Sequence, residues 1–298
     1  MSKGRKLISF DWALKRLLRH KANFGILEGF LSELLKDDIK IHNILESESN
    51  REYKHSRSNR VDMMVENSKD ELLIVEIQHE AEYDYLLRML FGVSKALTEY
   101  IEEGESYSRI KKVVSINLVY FDLGQGEDYI YRGKTEFVGL NKKDVLKLDS
   151  VQQELYKAET ISDIYPEYYI LKINQFDDIA HNTIDEWIYF LKNEQIEDNF
   201  TARGLKEAKK ELDIMKLSEE ERKEYEVYLE DLRYEASMFE SSYKVGEMKG
   251  KKMGMEQGME KGAKEKTLEI AKESLKEGLS IELIIKLTGL SKEEIEKL

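Results

Sequence analysis

The chain has no cysteine, which removes disulfide staples and cysteine-ligated zinc from consideration and fits a reducing cytoplasm. Proline is almost absent too: Pro166 is the only one, and it stands just before the apolar run Tyr168–Ile173. No apolar run approaches the roughly 20 residues that span a bilayer. The opening MSKGRKLISFDWALKRLLRHK puts basic residues before a short apolar patch, but Asp11 and Lys15 interrupt it, so no signal peptide is expected. The histidines, His20, His42, His55, His79 and His181, form no spaced metal motif. These absences predict a soluble cytoplasmic protein with no membrane partner.

What is present is charge and enough apolar residue for a core. The 298 residues are 41% hydrophobic, 10% aromatic and 36% charged, which predicts one or two domains with long solvated helices. The net charge of −13 argues against a nucleic-acid partner taken as a total, yet its distribution is uneven. Residues 1–61 hold 13 Lys and Arg against 8 Asp and Glu, a net of +5 that leaves −18 for the rest. Arg51, Lys54, Arg57 and Arg60 lie together in that basic stretch, as phosphate contacts would require and as a solvated loop also would allow.

The most informative stretch is Arg60–His79, RVDMMVENSKDELLIVEIQH. Two β-type runs, Val61–Val65 and Leu72–Ile77, flank the turn cluster Asn67-Ser68-Lys69-Asp70, a hairpin signature. Each run carries a carboxylate, Asp62 and Glu76, and Gln78 shares the face of Glu76. Asp62 joins that face if residue i pairs with 138 − i through a three-residue loop; a slip of one residue sends it to the opposite face. Two carboxylates converging beside an amide suit a hard divalent ion. The alternative is a solvated acid near a strand end. Against it, Leu72–Ile77 is otherwise continuously apolar, where an unpaired carboxylate is costly.

Asp62, then 13 residues, then Glu76-Ile77-Gln78 on a hairpin resembles the core of the PD-(D/E)XK nucleases, with Gln78 where the superfamily commonly has Lys. More narrowly, the chain resembles the bacterial family of recombination-promoting nucleases and transposases. The likeness runs from Asp11-Trp12-Ala13-Leu14-Lys15 through Leu27–Leu35, Asp62, Glu76-Ile77-Gln78, Arg88 and Tyr100 into Val113–Phe121. The resemblance implies an α/β fold with a mixed central sheet flanked by helices, followed by an α-helical C-terminal tail. It also implies a Mg²⁺ site, with Mn²⁺ or Ca²⁺ as substitutes, held by Asp62, Glu76 and the backbone carbonyl of Ile77. Gln78 would position the attacking water, although an amide brings neither the positive charge nor the basicity of Lys. Asp11 and Lys15 are expected near the site by the same resemblance, while Asp11 alternatively reads as a helix cap. An upstream helical acid, Glu28 or Glu33, would complete the site. Arg57, Arg60 and Arg88 are the expected DNA contacts, Arg88 with the alternative of holding a core carboxylate.

Elsewhere, helical spacing covers Asp11–Leu18, Ile26–Leu35 and Tyr83–Glu103, the last ending at Gly104. Lys112–Phe121 reads as a central strand, and Tyr129–Tyr131 with Thr135–Val138 as a second hairpin around Arg132-Gly133-Lys134. From Asp177 onward the pattern is helical. Gly246, Gly250, Gly254, Gly258 and Gly262 repeat every four residues, at about 1 kcal/mol each in a free helix. Such a segment is either a flexible linker or a helix whose glycine stripe admits a partner helix, most simply from a second copy. Beyond it, Ser280–Thr288 and Ser291–Ile295 read as two short helices, either a helix-turn-helix or a plain αα-hairpin. The expected division is a nuclease-like domain over 1–200, a helical region over 201–245, and the glycine-repeat tail with its terminal hairpin over 246–298. The expected function is Mg²⁺-dependent cleavage of DNA, of a mobile-element or recombination-promoting type. The alternative is a non-catalytic DNA-binding or assembly protein that kept the fold.

Overall fold

The structure is a computed structural model, and it describes residues 7–10, 12–13, 24–45, 63–99, 106–213 and 217–298. The chain divides into two compact units, Met1–Asp231 and Leu232–Leu298.

The first unit is organised by a six-stranded mixed sheet. Its strands are β1 (Ile41–Leu45), β2 (Met63–Asn67), β3 (Leu72–Gln78), β4 (Val113–Val119), β5 (Ile130–Gly133) and β6 (Glu167–Lys172), in the order β1-β2-β3-β4-β6-β5. β1, β2 and β3 are antiparallel, β3, β4 and β6 run parallel, and β5 returns antiparallel at the far edge.

The β2–β3 hairpin follows from its turn chemistry. Asn67 Oδ1 accepts the backbone N–H of both Lys69 and Glu71 at 2.9 Å, and Asp70 takes the left-handed conformation at φ 60°. That makes Ser68-Lys69-Asp70 a three-residue loop. The described pairs Met63↔Val75, Met64↔Ile74, Val65↔Leu73 and Glu66↔Leu72 all obey the register of i with 138 − i. Asp62 itself lies outside the described residues.

Two layers of helix cover the sheet. On one face lie α1 (Gly25–Leu35), α4 (Thr183–Asn193) and α5 (Leu205–Glu211), which share one apolar cluster with Val65, Leu73, Val75, Ile77, Ile116, Leu118 and Leu171. α1 approaches the Arg203–Gly204 turn so closely that a Cβ on Gly29 would meet Arg203 O at 2.5 Å. On the other face, α2 (Tyr85–Glu99) buries Met89, Val93 and Ala96 against Met64, Leu72, Ile74, Val113 and Val119.

Some expectations shift. The helix expected over Tyr83–Glu103 is described as Tyr85–Glu99, and 100–105 lie outside the described residues. The second hairpin does not form: β5 pairs with β6, not with Thr135–Val138, while Val138 bridges Val145. The cause is long-range pairing, because Arg132 is drawn to Glu167 and the bare backbone of Gly133 packs 3.5 Å from Tyr168 Cβ, measured at its missing Cβ. The connection from β5 to β6 carries the short helix α3 (Ser150–Tyr156), capped by Asp149 and Gln152, with no buried residue.

In the second unit, the helix α6 (Glu219–Lys276), which begins in the first, continues through all five repeat glycines. Space for a Cβ at each of Gly246, Gly250, Gly254, Gly258 and Gly262 is open to at least 4 Å. α7 (Ile281–Thr288) and α8 (Lys292–Ile295) fold back on its end, joining Ala271, Ile284, Leu290 and Ile295 in a small core. Ser280 and Ser291 cap the two short helices, and Gly289 closes α7 at φ 73°.

Candidate active site

The sheet face beneath α2 carries the polar residues. Alternation along β3 sends Leu72, Ile74, Glu76 and Gln78 to this face and Leu73, Val75 and Ile77 to the other. The parallel register pairs Glu76 with Asn117 of β4, so both side chains meet the same helix. Glu76 is 6% exposed and Asn117 is fully buried. A run of apolar residues long enough to be buried on both faces has thus taken a carboxylate into its interior.

A hydrogen-bonded network surrounds that carboxylate. The Tyr85 hydroxyl, at the start of α2, lies 3.2 Å from Asn117 Oδ1 and 3.5 Å from Glu76 Oε2. Asn117 Nδ2 donates to Ser115 Oγ at 2.9 Å and to the Tyr169 carbonyl at 3.1 Å, which fixes the orientation of its amide. Two turns along α2, Gly92 faces Glu76, and a Cβ there would stand 3.9 Å from Oε1. Tyr85 and Asn117 were not singled out from the sequence. Their signal is an Asn at a central position of an otherwise apolar strand, paired in register with Glu76.

Arg88 projects from α2 toward the same carboxylate. Its Nη1 donates to Glu82 Oε1 at 2.8 Å and Oε2 at 3.0 Å. Burial works against the guanidinium charge, but Glu76 and Glu82 outweigh it and hold Arg88 above its ordinary value. Gln78 Nε2 donates to the same Glu82 at 3.0 Å and to the Glu80 carbonyl at 3.3 Å. The amide expected to hold a water is therefore engaged with Glu82, and the guanidinium expected on a phosphate is balancing carboxylates. His79 points to the opposite face and stacks on Tyr120 with ring centroids 4.3 Å apart.

The described oxygens around Glu76 come from a carboxylate, an amide and hydroxyls, with no imidazole. That donor chemistry suits a hard divalent cation better than zinc. Among the described residues no group of three or more His, Asp or Glu converges as a ligand cluster. Asp62, Asp11, Lys15, Arg57 and Arg60 lie outside the described residues.

Comparison with known families matches residues 8–242 to the PD-(D/E)XK nuclease family transposase model. The chain belongs to this PD-(D/E)XK nuclease family. A second match covers residues 264–298: the C-terminal helix-turn-helix domain of the Rpn/YhgA-like nuclease family. No curated protein and no solved structure matches. The two families together give this PD-(D/E)XK protein nuclease- or transposase-like function and a DNA-binding type of C-terminal domain. Of the two forms that the sequence left open for the terminal hairpin, this match supports the helix-turn-helix. No described helix is long and apolar enough to cross a membrane.

The geometry of this PD-(D/E)XK domain overturns one expectation. Neither Glu28 nor Glu33 completes the site, because α1 packs on the opposite face of the sheet from Glu76. Glu28 accepts the Ile41 backbone N–H at 3.0 Å and pairs with Lys40 at 3.1 Å, beside the hairpin loop. Glu33 accepts the Thr183 hydroxyl at 2.5 Å and the Arg203 N–H at 3.1 Å, tying α1 to α4. Both acids are used to hold backbone in place.

Proposed function

We propose that the protein is a metal-dependent DNA endonuclease whose site is built on the α2 face of the β2–β3 hairpin. The observation that carries this reading is the register of i with 138 − i next to a buried Glu76. Continued by one residue, that register would pair Asp62 with Glu76 and bring two carboxylates to one face. Asp62, Glu76 and the Ile77 carbonyl would hold Mg²⁺, with Mn²⁺ or Ca²⁺ as substitutes. A bound divalent cation supplies Lewis acidity and lowers the pKa of its water.

The chain's own residues then have separate tasks. Tyr85 and Asn117 orient Glu76, as outer partners orient a metal-binding carboxylate. Gln78 leaves Glu82 to hold the attacking water by hydrogen bonding, without acting as a base. Arg88, released from Glu82, and Arg57 and Arg60 would meet backbone phosphates. Asp11 and Lys15 would lie near the site, as the family resemblance implies. The helix-turn-helix carries a second DNA contact, and the glycine face of α6 admits the same helix of a second copy. The likeness extends the proposal to a mobile-element or recombination-promoting role in the cytoplasm, with a nuclease-like domain over 1–200, a helical region over 201–245 and the tail over 246–298.

A specific observation favours a second reading. Arg88 already offsets the charge of Glu76, and Gln78 is already bonded, as in a protein that kept the fold for binding or assembly alone. Supercoiled plasmid titrated with divalent ions separates the two. The nuclease reading expects nicking that Mg²⁺ or Mn²⁺ supports and excess chelator stops; nicking undiminished by chelator, or none with any ion, ends it.

A further inference from the structure

We propose that Lys172 is a phosphate-binding residue of the same sheet face, contacting a DNA backbone phosphate that flanks the one at Glu76. The proposal rests on the nuclease reading above and adds a residue that it does not use. Lys172 ends β6, is 2% exposed, and its Nζ has no hydrogen-bond partner among the described residues. The ammonium faces the Tyr131 ring, 6.0 Å from its centroid.

Its face is fixed by alternation. Tyr169 and Leu171 belong to the large apolar cluster, while Tyr168 and Ile170 pack with Tyr85, Met89 and Val119 beneath α2. Lys172 therefore shares the face of Glu76. It also shares a row with Gln78, since the register runs Gln78↔Val119 and Val119↔Lys172. Two strand spacings separate Lys172 from Gln78, roughly 10 Å. That offset suits a phosphate within a few nucleotides of the reacting one, at about 3.4 Å of rise per nucleotide.

The neighbouring cations are accounted for. Lys111 pairs with Glu66, Lys112 and Arg132 with Glu167, Arg88 with Glu82, and Lys95 with Glu99. Lys172 makes no hydrogen bond or ion pair with a carboxylate among the described residues. A buried ammonium without an acceptor is a standing cost to the fold, and an anion removes it. The half-buried Tyr131 ring faces the ammonium, and rotation of the flexible four-carbon stem past it would bring the charge to the surface.

The test compares full-length wild type, Lys172→Met and Lys172→Arg for binding of a labelled DNA duplex in chelator, between about 50 and 200 mM salt. Losing one phosphate contact lowers the slope of log Kobs against log salt by about 0.9, an affinity loss of roughly eightfold near 0.1 M salt. Lys172→Arg keeps the slope. The urea midpoint of Lys172→Met equals or exceeds that of wild type, because the variant relieves a buried charge. An unchanged slope in Lys172→Met, a wild type that does not bind duplex, or a lowered midpoint in that variant overturns the proposal. A slope that falls in a protein unable to nick plasmid keeps the phosphate contact and removes the nuclease reading. An unchanged slope in a protein that nicks does the reverse.

Discussion

The two faces of the central sheet are built from the same strands and have opposite character. One face of β3 and β4 presents Leu73, Val75, Ile77, Val114, Ile116 and Leu118 to a single apolar cluster. The other interleaves Glu76, Ser115 and Asn117, all buried, with Leu72, Ile74, Val113 and Val119. Alternation of side chains means that each strand contributes to both. The apolar face holds the domain together, and the polar face keeps charged and amide groups under a helix where burial is costly. Its network of Tyr85, Asn117 and Ser115 keeps that cost low enough to tolerate.

The largest effect expected from this contrast is a swap of character. Ile116→Asn places an amide with no partner in the fully buried apolar cluster and should cost about 4 kcal/mol, enough to unfold much of the protein. Asn117→Leu, one residue along and on the other face, should cost less, about 2 kcal/mol, because leucine accepts burial but leaves Tyr85, Ser115 and the Tyr169 carbonyl without that partner. Equal losses from both substitutions would show that the two faces do not differ as described.

Next comes chemistry on the polar face. Glu76→Ala should reduce Mg²⁺-supported plasmid nicking by at least about 10³-fold while leaving the urea midpoint at or above that of wild type. Tyr85→Phe and Asn117→Leu should each weaken Mg²⁺ binding to the DNA-free protein by about 10- to 100-fold, read by calorimetry. Substitution of Tyr85 without change in metal affinity would leave its hydroxyl a packing group only.

How much of this was legible beforehand depends on the range of the interactions. The register of the hairpin was readable because Asn67 and Asp70 determine it locally through their turn geometry. Glu76 was readable because a carboxylate stands out in an apolar run. The second hairpin was not: Arg132 finds Glu167, 35 residues on, and no local pattern announces that partner. Glu28 and Glu33 failed for the same reason. Their acceptors are used by the Ile41 backbone and by residues 150 and 170 positions away. Lys172 carries no signal of its own in the sequence; only its burial at the end of β6, with β5 paired along that strand, sets it apart.

Glu167 sharpens the contrast at the edge of the apolar face, where charge is buried but fully answered. Burial raises its carboxyl, but hydrogen bonds from Arg132, Tyr169 and Lys112 prevail and bring it down to about 2. A carboxylate lowered in the folded state contributes stability above its unfolded value near 4.5 and loses it as pH falls toward about 2. With Arg132 half exposed, the contribution is roughly 2 kcal/mol after allowance for screening. Wild type should therefore lose stability between about pH 4.5 and 2 more steeply than Glu167→Gln, measured by urea unfolding at several pH values. Parallel pH profiles would mean that the Glu167 carboxylate and its three partners contribute nothing at that edge.

The smallest effects belong to the glycine helix, whose repeat glycines meet no opposing atom within 4 Å among the described residues. Gly250, Gly254 and Gly258 each leave open space where a Cβ would stand. Alanine at one of them should raise local helix stability by about 1 kcal/mol, seen as slower hydrogen exchange along 246–262. If the glycines serve close approach of a second copy, alanine at all three should largely preserve association, whereas leucine should hold the backbones apart and weaken it. Sedimentation of the full chain reads this directly. A wild type that stays monomeric at high concentration, with leucine variants unchanged, would reduce the stripe to a solvated spacer between the sheet domain and the helix-turn-helix.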